Sequence, residues 1–366
     1  MQNLTLLPLH GGKAPRWLFS RMVRLGSLIT ETMIDEYGSS GLIDRLTDPM
    51  WFQALACAIG YDWHSSGTTT VVVAALKEAL NYHSDIFIAG GKGKQGTSAP
   101  EQIVKGVDYL SMPGCDERFI HYSRIAAKID SALVYDNLGI YHHAFIFSKG
   151  KDWAVIQQGM HAESNMAVRF QISGKSLDKN DITNETNSAV ASGLHESTMD
   201  LTFERNGAAK QHSLRLVNED FGEIENAKPV YKLPARHEIL DTDLSKRAVE
   251  LLKAANEMQP GSYEELLSIK GIGRKTLRSL AIISSLLYDN EIYKRDPIMY
   301  SYNLGGKDGI PYRINLGDYD DVVSALSEIV KSIKAAGSEK EHILKVLNRE
   351  VSQAYLACKP DSGRNI

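Results

Sequence analysis

The sequence predicts an α+β protein, with a mixed N-terminal domain containing a small antiparallel sheet and a helical C-terminal domain. Three observations predict it. Leu18, Met22, Leu25 and Leu28/Ile29 recur at three- and four-residue spacing, the core-facing stripe of a helix. Across residues 134–172 the period changes towards two, as it does in strands. Beyond His237 the pattern turns helical again and carries a glycine hairpin between two helical segments, Ser262-Tyr-Glu-Glu-Leu-Leu-Ser-Ile-Lys-Gly-Ile-Gly-Arg-Lys-Thr-Leu-Arg-Ser-Leu280.

Taken in order, the chain opens on a loop through His10-Gly-Gly-Lys13, followed by a helix over 15–37. A second helix starts after Asp48-Pro49 and buries Trp51, Phe52 and Leu55. Asp62-Trp63-His64-Ser65-Ser66-Gly67 interrupts the pattern, and a helix resumes over 68–80 despite its β-branched start. Residues 86–96, Ile-Phe-Ile-Ala-Gly-Gly-Lys-Gly-Lys-Gln-Gly, read as a buried strand running into a glycine-rich loop. A helix over 116–133 sets Phe119, Ile125, Ala126, Ile129 and Leu133 on one side, with His121, Arg124, Lys128 and Ser131 on another. Residues 140–147, 153–158 and 167–172 are three strands, the first two joined by a hairpin turn at 148–152. Residues 173–230, rich in Asn, Asp, Ser and Gly, read as a loop-heavy linker with some strand, and a closing helix is expected over 318–357. The expected domains are 1–175, a linker or extension over 176–236, and a helical domain over 237–358.

Composition narrows the function classes. With 366 residues, 43% hydrophobic and 23% charged, the chain can bury a sizeable core. A net charge of −4 excludes a protein coated with cations, so any nucleic-acid contact must come from local patches. Cys57, Cys115 and Cys358 lie too far apart in sequence for a disulfide framework or a metal-ligand spacing, which fits a reducing cytoplasm. No signal-peptide pattern precedes the first motif, and no apolar run reaches the roughly 18 residues of a membrane span. The expectation is a soluble, cytoplasmic protein.

The glycine hairpin is the most informative motif. Ser262 followed by Glu265 makes a capping box that starts its first helix. Gly271 and Gly273 allow a short reversal, and Thr276 continues into the second helix, whose N-terminal amides point towards the hairpin. Free amides and bare glycine backbone let a phosphate come close. Lys270, Arg274, Lys275 and Arg278 add four cations with no acid among them. The run resembles the helix-hairpin-helix element, which grips nucleic-acid backbone without reading sequence. The resemblance implies a DNA-binding set of Lys270, Gly271, Ile272, Gly273, Arg274, Lys275, Thr276 and Arg278. The alternative is an ordinary pair of helices with a basic, solvated rim.

Further stretches extend the resemblance: residues 7–17, Trp51-Phe-Gln53, residues 62–67, Lys128-Ile-Asp-Ser131, residues 155–160, Asp296-Pro297 and Gly305-Gly-Lys-Asp-Gly309. With the hairpin run they cover most of the chain from residue 5 to about 330, and on them the chain resembles the archaeal and bacterial domain-of-unknown-function family 763.

Two catalytic constellations follow. Locally, the hairpin resembles that of the glycosylases which excise a base and nick the strand. In those enzymes a lysine just after the second hairpin glycine attacks the sugar, and an aspartate about one helix later assists. Lys275 and Asp296 hold the corresponding positions, although the aspartate spacing is long and Asp296 precedes a proline. The second constellation lies in the N-terminal half: Lys128, Asp130, Asp136, His64 and Gln158, with Asp62, His142, His143 and Gln157. An amine beside a carboxylate there could run the same Schiff-base chemistry. Asp136, Lys128 and a hairpin glutamine also suggest a magnesium-dependent nuclease, but Gln157-Gln158 stands where a carboxylate is needed. His142 and His143 point to opposite faces of a strand and cannot ligate one metal together.

The glycine loops at 90–96 and 305–309 could cradle phosphate, yet neither has the GxxxxGK[ST] pattern of nucleotide hydrolases. Tyr300, Tyr302 and Tyr312 near the second could stack on a base. The function expected is a DNA repair enzyme, a base-lesion glycosylase with lyase incision through a lysine Schiff base. It needs no cofactor and has damaged duplex DNA as its partner. The alternatives are a structure-specific, magnesium-dependent nuclease and a non-catalytic DNA-binding protein.

Overall fold

In strands β3 (Gly139–Ser148) and β4 (Trp153–His161), both sets of alternating positions are apolar. Phe145, Phe147, Trp153 and Val155 point to one face, and Ala144, Ile146, Ala154 and Ile156 to the other; all eight are buried. Such strands need cover on both sides. The computed structural model describes residues 7–8, 14, 16–59, 61, 66–133, 139–161, 166–176, 183, 187–190, 198–222, 224, 246–288, 292 and 294–295.

The sheet is antiparallel. β3 pairs with β4, with Phe145 opposite Val155 and Phe147 opposite Trp153. β2 (Ile86–Lys92) adds beyond β3, and β5 (Met166–Ser173) beyond β4. β1 (Leu7–Pro8) and β6 (Asn187–Val190) both pair with β5. A second, two-stranded sheet joins β7 (Thr198–Met199) to β8 (Lys294–Arg295).

One face of the main sheet is covered by α1 (Arg16–Leu46), α2 (Pro49–Ala58) and α3 (Ser66–Leu80). The expected stripe on α1 is there: Met22, Leu25 and Ile29 are buried. The helix runs past its expected end and breaks direction at Gly38, whose φ is 72° and ψ 168°. The other face is covered by α5 (Ala99–Tyr109) and α6 (Asp116–Lys128). Beyond them lie α7 (Gly207–Asn218), α8 (Lys246–Met258), α9 (Tyr263–Ser268) and α10 (Arg274–Tyr288). That hydrophobic cluster runs unbroken from Phe87 on the sheet, through Leu216 and Val217 on α7, to Leu277 and Leu280 on α10. These layers give the α+β class that the sequence predicted.

Three local expectations change. Gly90, Gly91 and Lys92 belong to β2 and not to a loop, because the strand keeps its pairing through Lys92 opposite His142. A short α4 (Lys94–Thr97) then leads into α5. The helix expected over 116–133 switches to π geometry over Ile129–Leu133. Inside the polar stretch 173–230, α7 buries Ala209, Leu216 and Val217; its few apolar residues sit on one side, and the composition around them hides the period. The closing helix expected over 318–357 lies outside the described residues. Among those described, no helix is long and apolar enough to cross a membrane.

α5 lies so close to the sheet that Gly106 admits no side chain. A Cβ there falls 2.5 Å from Phe87 Cδ1 and 2.6 Å from Phe147 Cζ. Gly106→Ala therefore lowers the unfolding free energy by about 1–3 kcal/mol through overpacking. The control is Gly207→Ala, where no atom lies within 4 Å; urea midpoints should fall for the first and stay unchanged or rise for the second.

Candidate functional site

The adjacent residues His142 and His143 divide the polar chemistry of this protein between the two faces of the sheet, as their positions on a strand predict. On the α6 face His143 belongs to a closed network. Gln157 donates its amide to Ala126 O at 3.1 Å and to the Asp130 carboxylate. Its oxygen is thus left to accept from His143 Nδ1, 2.8 Å away. Nε2 of His143 is then the acceptor for the Ser123 hydroxyl at 2.8 Å. Ser123, Asp130, His143 and Gln157 are all buried. Burial lowers the pKa of His143, against the smaller opposite pull of Gln157.

The π segment carrying Asp130 also marks where α6 meets the glycine turn. Lys128 Nζ donates to the carbonyl oxygens of Leu267 and Ile269, at the end of α9. Burial lowers its pKa. Arg274 Nε donates to Ser131 O at 2.8 Å, and His121 Nε2 lies 2.7 Å from a Glu264 carboxylate oxygen. α9 is capped as expected: Ser262 Oγ accepts from Glu265 N–H at 3.1 Å. The Glu265 carboxylate reaches back to Gly261 N–H at 2.7 Å. Between α9 and α10, Gly271 takes φ 96°, a value open to glycine and strained for other residues. Around it Lys270 and Lys275 are exposed, Gly273, Arg274 and Arg278 half-buried, and Ile272 and Thr276 turned into the core.

On the α1 face a polar row crosses four strands. Lys92 pairs with His142, His142 with Gln158, and Gln158 with Arg169. Arg169 is fully buried, and its partners are all neutral: Gln53 Oε1 at 2.6 Å, Gln171 Oε1 at 3.1 Å, Pro49 O at 3.4 Å and the Phe52 ring 4.5 Å below the guanidinium. Burial pushes its pKa down to about 9. His142 is 1% exposed, and neither ring nitrogen has a hydrogen-bond partner. Its pKa is pushed down to about 3, first by burial and then by His143, Lys92 and Lys77. Beside it a cleft of about 270 Å³ opens between α1, α3 and the end of β2. Lys77 Nζ reaches into this region from α3 and donates to Gly90 O and Gln102 Oε1; burial lowers its pKa.

Of the residues expected to act together in the N-terminal half, those among the described residues do not meet in one site. Asp130 is locked to Gln157, Lys128 turns to the end of α9, and Gln158 sits on the opposite face with its amide on Tyr141 Oη. His64, Asp136 and Asp296 lie outside the described residues, as do Asp62, the 305–309 loop and the three tyrosines near it. Among the described residues, no three His, Cys, Asp or Glu side chains gather to hold a metal. Sequence reasoning missed Lys77 and Ser123. Lys77 could have been noticed as the cation that ends the apolar run Val71-Val-Val-Ala-Ala-Leu76, whereas nothing in sequence distinguishes Ser123 from any helical serine.

The lowered histidines couple stability to pH. His142 has its ordinary pKa of 6.5 when unfolded and about 3 when folded, so the unfolded state takes up protons first as pH falls. Stability is therefore held above pH 6.5 and lost between there and about 3, by about 2 kcal/mol for His142 alone between pH 7 and 5. Denaturant melts of the wild type should show this loss, and His142→Phe should lose less over the same interval.

No curated protein and no solved structure matches the chain. The family described as a protein of unknown function (DUF763) matches residues 3–314 of the 366, and the chain belongs to that family.

Proposed function

We propose that this protein binds the backbone of DNA through the glycine turn between α9 and α10 and acts on damaged duplex as a repair enzyme. The observation that carries the reading is the exposed turn at Gly271, with Lys270 and Lys275 in solvent and Arg274 and Arg278 beside them. A left-handed glycine followed by the first amides of a 15-residue helix suits a phosphate oxygen, and the cations supply charge-assisted contacts. Ile272 and Thr276 act here through their main chain, since their side chains are committed to the core. A turn fixed at two points to α6 and at a third to the π segment after it presents these donors without a large ordering cost on binding.

The activity proposed is excision of a damaged base with incision of the strand, Lys275 being the amine that forms the Schiff base. Lys275 is exposed on the first turn of α10, whereas Lys128 already donates to two carbonyls of α9 and is a structural anchor. Once it has given up its proton, the Lys275 amine adds to sugar C1′ and the base leaves taking a proton; opening of the sugar ring gives an iminium, and loss of the C2′ proton to solvent expels the 3′ phosphate and breaks the strand.

Two measurements test the reading separately. Fluorescence anisotropy with labelled duplex, repeated over a range of salt, should show salt-dependent binding without sequence preference. The double variant Lys270→Gln/Lys275→Gln should weaken it and reduce the salt slope by about 2. An unchanged slope removes the turn from the interface. Borohydride trapping on duplexes carrying uracil, 8-oxoguanine or an abasic site, in the presence of EDTA, should yield an adduct lost in Lys275→Ala and kept in Lys128→Ala. Binding with no adduct on any duplex leaves a DNA-binding protein and overturns the enzyme.

A further inference from the structure

We propose that the cleft between α1, α3 and the end of β2 is a binding site for a phosphate monoester, held by Lys77, Lys92 and His142. The site is separate from the glycine turn, which lies across the sheet on the α6 face, and it does not depend on the function proposed above.

The chemistry of the lining selects the ligand. Lys77, Lys92, His142, Gln95 and Thr70 supply the polar side chains, Gly90 and Gly91 supply backbone, and among the described residues no carboxylate lines the cleft. Lys77 has three N–H groups when charged; Gly90 O and Gln102 Oε1 take two and leave one for a ligand. Both of these partners are neutral, so the ammonium has no counter-charge of its own. Gln102 is itself fixed by Gly90 N–H and Ser98, which sets the position of the amine. Lys92 is exposed at the rim, with its ammonium 5.8 Å from the Tyr141 ring. His142 is the second, independent pointer. A buried imidazole with neither nitrogen satisfied is costly, and a bound water, ion or ligand is what ordinarily completes such a group. Neutral at physiological pH, it offers one N–H to a phosphate oxygen.

Shape and size narrow the class further. The wall of Phe19, Val71, Val73 and Ala74 is apolar, so one end of the ligand is anionic and the other is not. About 270 Å³ holds a small metabolite such as a sugar phosphate, or the terminal phosphate and sugar of a nucleic-acid strand. The shared chemistry is the phosphate monoester; the two sources are separated by experiment.

Calorimetric titration of the full chain with inorganic phosphate, deoxyadenosine 5′-monophosphate and deoxyadenosine provides the test. Phosphate and the monophosphate should compete for one site, with the nucleoside weaker by about tenfold or more. Lys92→Gln and Lys77→Met should each cost the monophosphate about tenfold in affinity. Lys92 is exposed, so its variant folds, and unchanged circular dichroism makes its result decisive. For the source, a short single strand with a 5′ phosphate is compared with its 5′-hydroxyl twin in the Lys270→Gln/Lys275→Gln background. A preference for the phosphorylated strand that disappears on adding Lys92→Gln assigns the strand terminus. Equal affinity for the two strands beside tight monophosphate binding assigns a free small molecule. Absence of saturable binding by phosphate and monophosphate, or binding that Lys92→Gln and Lys77→Met leave intact, overturns the proposal.

Discussion

Burial of β3 and β4 on both faces constrains where every polar side chain on them can go. A strand turns successive residues to opposite sides, so neighbours in sequence are separated by the thickness of the sheet. His142 goes under the α1 layer and His143 under α6. Gln157 and Gln158 divide in the same way. In a sheet with one solvated face, one residue of each pair would reach water. Here both members are buried, and each must find its partners within protein or ligand.

The two faces resolve that demand differently. Under α6 the partners close on one another: Ser123, His143, Gln157 and Asp130 form a chain in which each named donor meets an acceptor. The chain ties β3 and β4 to the π segment, and Lys128 and Arg274 carry the connection on to the glycine turn. A π turn shifts the phase of a helix by about one residue, and here it accompanies a buried Asp130 and a Ser131 carbonyl directed at Arg274. The turn is thus braced by the core, while Lys270, Gly271 and Lys275 stay exposed. Under α1 the demand is met only in part. Arg169 is wrapped by neutral oxygens and an aromatic ring, and His142 is not met at all.

Much of the architecture was legible. The 3.6-residue stripe of α1, the three strands of the hairpin region and the Ser262/Glu265 cap lie near their expected places because each is a local signal, fixed by neighbours within four residues. The opposite facing of His142 and His143 follows from strand geometry alone. The association of Lys128 with Leu267 and Ile269, and of Ser123 with His143, was not legible, since each spans 20 residues or more of chain and is decided by packing. Lys128 and Asp130 look like a catalytic pair in sequence because they are two apart, yet residues two apart on a helix face different sides, and here one turns to α9 and the other into the sheet. The segment around Gly90 reads as a loop on composition, yet β2 keeps its ladder through it, because Gly90 and Gly91 take φ values of 94° and 138° and Gly90 lies too close to the His143 carbonyl for a side chain.

Double-sided burial gives two adjacent histidines opposite fates. The most direct test is long-range proton–nitrogen NMR of the two imidazoles as pH is lowered. The network requires His143 to be the Nδ1–H tautomer, with Nε2 accepting from Ser123, and burial requires both rings to take up their proton below the ordinary pKa of 6.5. A His143 found as the Nε2–H tautomer, or either ring gaining its proton near 6.5, contradicts the account.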